Sequence, residues 1–93
     1  MFERILNRMR ECIRTNTYVV TLHAVEEMDD DQLSVFDVER AVLAGSIRKR
    51  EKDEVTGENK FHLLGSAVDG REIELIVKLS VTGKLVIITV YAL

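Results

Sequence analysis

Three glycine-ending pairs, Thr56-Gly57, Asp69-Gly70 and Thr82-Gly83, separate four segments that read as strands near 46–54, 59–67, 71–80 and 84–92. Glycine takes the left-handed backbone of a tight hairpin loop without the penalty that a Cβ brings, so each pair predicts a reversal between strands. Successive reversals of this kind confine the second half of the chain to an antiparallel meander. The first half has a different period, and the expected class is α+β, with N-terminal helices packed on an antiparallel β-meander sheet. Ninety-three residues, 46% of them hydrophobic, suffice for one core, so residues 1–93 are read as one domain.

The turns also set register. A three-residue loop Val68-Asp69-Gly70 places Phe61 and Leu63 opposite Val77 and Leu75, whereas a two-residue loop would turn Lys60 and His62 into the core. A two-residue loop at Thr82-Gly83 pairs Leu79, Val77 and Leu75 with Val86, Ile88 and Val90. The buried face then holds Phe61, Leu63, Leu75, Val77, Val86, Ile88 and Val90. On the opposite face Tyr91 lies across from Glu74, and His62 across from Ile76 with Thr89 one strand further on.

Upstream, Phe2, Ile5, Leu6, Met9, Cys12 and Ile13 recur at helical spacing among charges, which predicts an amphipathic helix over residues 1–15. Tyr18 to Leu22 reads as a short buried strand. A helix starting near His23 should lose support in Glu26, Glu27, Asp29, Asp30 and Asp31, because carboxylates at a helix C-terminus oppose the macrodipole. Ser34 to Ala44 carries the best helix signals, with Ser34 as cap, Asp37 in the first turn and Gly45 as the stop.

One cysteine, Cys12, cannot make an internal disulfide, and the charged N-terminus has neither a signal-peptide core nor a membrane span. Both features point to the cytoplasm. The net charge of −3 opposes indiscriminate nucleic-acid binding, but cations cluster locally. Strand alternation puts Arg48, Arg50 and Lys52 on one side, where they could hold a phosphate backbone or guard a sheet edge. His23, with Glu26 and Glu27 three and four residues on, could exchange protons or fix a strand-to-helix junction. His62 and Tyr91 share a face and could act as acid, base or phosphate ligand, or as a satisfied polar pair. The acidic run lacks the alternating ligands and central glycine of a calcium loop, and Cys12, His23 and His62 lack zinc spacing. No phosphate-binding glycine loop, dinucleotide fingerprint or serine elbow is present, so no metal or cofactor is expected.

The segments Leu22-His23-Ala24-Val25-Glu26-Glu27-Met28, Leu33-Ser34-Val35-Phe36-Asp37-Val38-Glu39, Ala44-Gly45-Ser46-Ile47 and Val86-Ile87-Ile88-Thr89-Val90-Tyr91 together resemble a bacterial and archaeal family of unknown function. That family looks related to the RelE/ParE and MqsR-type toxins. The resemblance covers about residues 17–92 and leaves the first helix as an addition. It implies a RelE-like fold, a small antitoxin protein as partner, and metal-independent cleavage of RNA. In that scheme Arg48, Arg50 and Lys52 bind phosphate while His23, His62 or Tyr91 move protons. The family pattern has an arginine before the methionine where this chain has Glu27, and a further cation after it where this chain has Asp29-Asp30-Asp31. Positive potential near His23 is correspondingly reduced. The alternative is a non-catalytic binding module whose sheet edge or first helix pairs with another subunit, a homodimer included.

Overall fold

The computed structural model describes residues 1–93. Three helices, α1 (Glu3–Arg14), α2 (Leu22–Asp30) and α3 (Val35–Ala44), precede four strands, β2 (Ser46–Lys52), β3 (Asn59–Ser66), β4 (Glu72–Leu79) and β5 (Leu85–Ala92), with β1 (Tyr18–Val20) between α1 and α2. The sheet order is β1-β5-β4-β3-β2. Strands β2 to β5 form the expected antiparallel meander, but β1 pairs parallel to β5, so the five-stranded sheet is mixed. The helices pack on one face. Their buried residues Met9, Ala24, Met28, Val38, Ala41 and Val42 join Phe61, Leu63, Ile73, Leu75, Val77, Leu85, Ile87 and Val90 in one core. The other face of the sheet is left uncovered.

Each helix has an identifiable cause. Helix α1 docks on its own chain, with Met9, Cys12 and Ile13 buried and Phe2, Ile5 and Leu6 half-buried against the core. The Phe2 ring meets Phe61 edge-on at 6.2 Å between centroids. At the start of α3 the Asp37 carboxylate accepts from the Ser34 N–H at 2.7 Å and the Ser34 hydroxyl at 3.2 Å. It also accepts from the Val68 N–H at 2.8 Å, which ties the helix to the β3–β4 turn. Burial raises the Asp37 pKa, but the backbone N–H groups of Ser34 and Val68 outweigh it and hold the carboxyl below its ordinary range. Gly45 ends α3 in extended backbone, not in a left-handed cap; a Cβ there would lie 2.3 Å from the Ala41 carbonyl oxygen. Arg10 of α1 donates to the freed Val42 and Gly45 carbonyls at 3.2 and 3.0 Å.

Several sequence expectations need correction. The segment Tyr18 to Leu22 is not a buried strand: β1 stops at Val20 on the sheet edge, Val19 is exposed, and Leu22 opens α2 in solvent. Thr21 causes the switch, because its hydroxyl accepts from the Ala24 N–H and caps α2. Nor does α2 fade in the acidic run. Two of those acids serve the sheet: Glu27 accepts from the Val90 N–H at 3.1 Å and Asp31 from the Ala92 N–H at 2.8 Å. The helix therefore runs beside β5 beyond the point where β1 ends, and its carboxylates occupy backbone donors that a further strand would otherwise pair.

The loop Val68-Asp69-Gly70 is three residues long as expected, with Gly70 at φ 93° and Phe61 and Leu63 opposite Val77 and Leu75. The last hairpin uses the same device. Ser80 and Lys84 close a three-residue loop Val81-Thr82-Gly83, with Gly83 at φ 86°, in place of a two-residue one. Leu79 consequently pairs with Leu85 and Val77 with Ile87, so Leu85 and Ile87, not Val86 and Ile88, enter the core. A bulge between Ile87 and Thr89 then restores the pairing of Leu75 with Val90 and Glu74 with Tyr91.

Candidate active site

Two bulges decide which side chains meet on the uncovered face. Without the extra residue Ile88, the register set by the last loop would send Tyr91 to the helix side. With it, Tyr91 stands across from Glu74 and Thr89 across from Ile76. The second bulge is in β2, where Ile47 pairs with Leu63 but Lys49 pairs with His62, leaving Arg48 as the extra residue. From that point the parity reverses. Lys49 and Glu51 come to the His62 face, while Arg50 lies across from Phe61 and Lys52 across from Asn59, on the helix side.

The result is a line of polar groups crossing four strands. The His62 ring approaches Glu51 through Nε2 at 2.9 Å and Glu74 through Nδ1 at 3.2 Å. The Tyr91 hydroxyl donates to the other Glu74 oxygen. The His62 side chain is only 13% exposed, whereas Glu51 on the edge strand is 58% exposed. The hydrogen bond to Glu74, reinforced by burial and by the charges of Glu74 and Glu27, pushes the Tyr91 phenol up to about 12. Reciprocally, the Tyr91 hydrogen bond and then His62, working against burial, hold the Glu74 carboxyl below its ordinary range. His62 likewise draws Glu51 down. Glu74 is therefore ionised, and Tyr91 protonated, across the neutral range.

Chemically this is an imidazole with one nitrogen held by a half-buried carboxylate and the other by an exposed one. Once Glu51 moves, Nε2 is available to take or give a proton, with the ring orientation kept by Glu74. The nearest cation by register is Lys49. Lys60 and Lys78 are on the same face but engaged, with Asp53 at 3.6 Å and Glu58 at 2.8 Å.

Of the residues singled out from the sequence, His62 and Tyr91 are brought together, through Glu74. His23 is not among them: it lies on the first turn of α2, 66% exposed, with Nε2 3.3 Å from Glu27. Arg48, Arg50 and Lys52 are not gathered with Tyr91 either, because β4 and β3 intervene between β5 and β2, and Arg50 and Lys52 are on the opposite face. Sequence reasoning missed Lys49, Glu51 and the linking role of Glu74. Only Glu74 left a signal, its predicted pairing with Tyr91. No three His, Cys, Asp or Glu side chains are grouped to hold a metal ion, and no helix is long and apolar enough to cross a membrane.

The fold and this face define a small α+β domain that presents a His-Glu-Tyr line on the open side of a mixed sheet. Over residues 20–92 the chain matches the model described as Domain of unknown function (DUF4258), and it belongs to that family. The matched region begins at the end of β1 and leaves α1 outside. No curated protein and no solved structure gives a match.

Proposed function

We propose that the uncovered face is an acid–base site for cleaving RNA without a metal or cofactor. The carrying observation is the half-buried imidazole held by Glu74, itself bonded by Tyr91, with the exposed Glu51 on its other nitrogen. In this reading His62 Nε2 takes the proton of a ribose 2′-hydroxyl as its oxygen bonds to the adjacent phosphorus. The P–O bond to the 5′ oxygen then breaks, and that oxygen leaves with a proton from solvent. Lys49, paired across from His62, is the cation nearest the charge that develops on the phosphate. Tyr91 acts through Glu74 and is a positioning residue. The family resemblance extends the proposal to a toxin of a toxin–antitoxin pair, working in the cytoplasm beside a small inhibitory protein. A small DNA-binding or zinc-finger protein encoded beside it would favour that extension.

The test is purified protein on unstructured RNA, and then on translating ribosomes, with chelator present throughout. Losing a general base costs roughly 100-fold to 10,000-fold in rate, which is the expected effect of His62→Gln. Tyr91→Phe should cost less and alter the pH profile of cleavage. Cleavage abolished by chelator, or unaffected by His62→Gln, would remove the proposal. A second reading, a binding module without chemistry, draws on the separation of Arg50 and Lys52 from Tyr91; absence of cleavage on both RNA and ribosomes would favour it.

A further inference from the structure

The two edges of the sheet differ. At the β5 edge, β1 covers Leu85 to Ile87, Thr21 bonds the Ile87 and Ile88 carbonyls, and Glu27 and Asp31 take the Val90 and Ala92 N–H groups. At the other edge β2 has a neighbour on one side only. Beside it runs a groove of about 520 Å³ lined by Met1, Phe2, Ile5, Arg48, Lys49 and Arg50. The floor is therefore apolar, from the start of α1, and the wall is cationic, from the strand.

We propose that β2 is a docking edge for an extended, acidic, valine-rich segment of another protein, which adds as a sixth strand. Strand addition at an open edge draws affinity from backbone hydrogen bonds and specificity from alternate side chains. The seven residues Ser46–Lys52 offer enough length for a short strand. Alternate residues of the incoming segment would meet Phe2 and Ile5 on the helix side, and the carboxylates between them would meet Lys49, with Arg48 at the bulge beside it. A second copy of this chain does not fit. Antiparallel pairing of β2 with β2 centred on Lys49 sets Lys49 against Lys49 and Arg48 against Arg50, and centred on Arg50 it sets Arg50 against Arg50 and Arg48 against Lys52; like charges directly opposite one another destabilise a sheet. Lys49 lines this groove and also faces His62, but His62 is not among the groove residues, so peptide binding and cleavage can each be lost while the other is kept.

The probe is a fluorescent eight-residue peptide alternating glutamate and valine, titrated against the full chain by anisotropy, with backbone amide shifts mapped by NMR. Saturable binding centred on residues 46–52 is expected. A peptide N-methylated at alternate residues, which removes its strand donors, should bind about tenfold or more weaker to the unaltered protein. The double variant Arg48→Glu, Lys49→Glu should weaken the parent peptide by a similar factor. No binding, equal affinity for the N-methylated peptide, or indifference to the charge reversal would each overturn the proposal. So would an oligouridylate that shifts residues 46–52 when the peptide does not, since that outcome assigns the edge to nucleic acid.

Discussion

The Tyr91 hydroxyl, given to Glu74, makes a measurable statement about ionisation. Its ordinary value of 10.0 rises to about 12 in the fold, so the fold favours the neutral phenol. The associated stability is complete below about pH 10 and is lost as pH climbs from there towards 12. Tyr18, raised to about 12 by burial and by its 2.6 Å bond to Glu39, is an internal reference, since the chain has two tyrosines. In ultraviolet titration Glu74→Gln should return one phenol towards 10 and leave the other near 12; two phenols still titrating together would refute the assigned cause. The pairing of Tyr91 with Glu74 was legible from the sequence, because a compensating bulge restored the register inferred from the turn. Lys49 and Glu51 were not legible. An extra residue in the middle of a strand has no signature of its own in IRKREK, yet it exchanges every later side chain between the two faces.

Among the elements, α3 and β3 approach closely, and the cause is a pair of glycines without room for a methyl group. A Cβ on Gly65 would lie 2.7 Å from both the Cα and Cβ of Ala41, and backbone cannot yield as a flexible side chain can. Gly65→Ala should therefore destabilise the chain by about 1–3 kcal/mol, the usual cost of overpacking. For a domain of this size that corresponds to a melting temperature lower by several degrees, with about 4–8 °C per kcal/mol as the scale. An unchanged calorimetric midpoint would show that α3 can slide. Helices α1 and α3 were readable because amphipathic spacing and a capping residue are local signals. Strand β1 and helix α2 were misread for a shared reason. The apolar run Tyr18 to Leu22 looks internal until its position at an edge is known, and Glu27 and Asp31 look like destabilising acids until the β5 backbone is placed beside them.

At the scale of the whole molecule, helix α2 does for β5 what a further strand would do, with side-chain oxygens in place of carbonyls. Removing those oxygens by Glu27→Ala with Asp31→Ala should leave the Val90 and Ala92 N–H groups open. The expected result is self-association that grows with concentration, followed by sedimentation velocity; a variant that stays at the parent's sedimentation coefficient would mean that α2 shields the edge by bulk alone. Unpaired strand edges are templates for growth. Continuous growth, however, requires each unit to offer two edges, one to receive and one to present. A sheet that offers the seven residues of β2 on one side and only the three of β1 on the other presents two unequal ends, so strand-to-strand growth from this chain is limited by its shorter end.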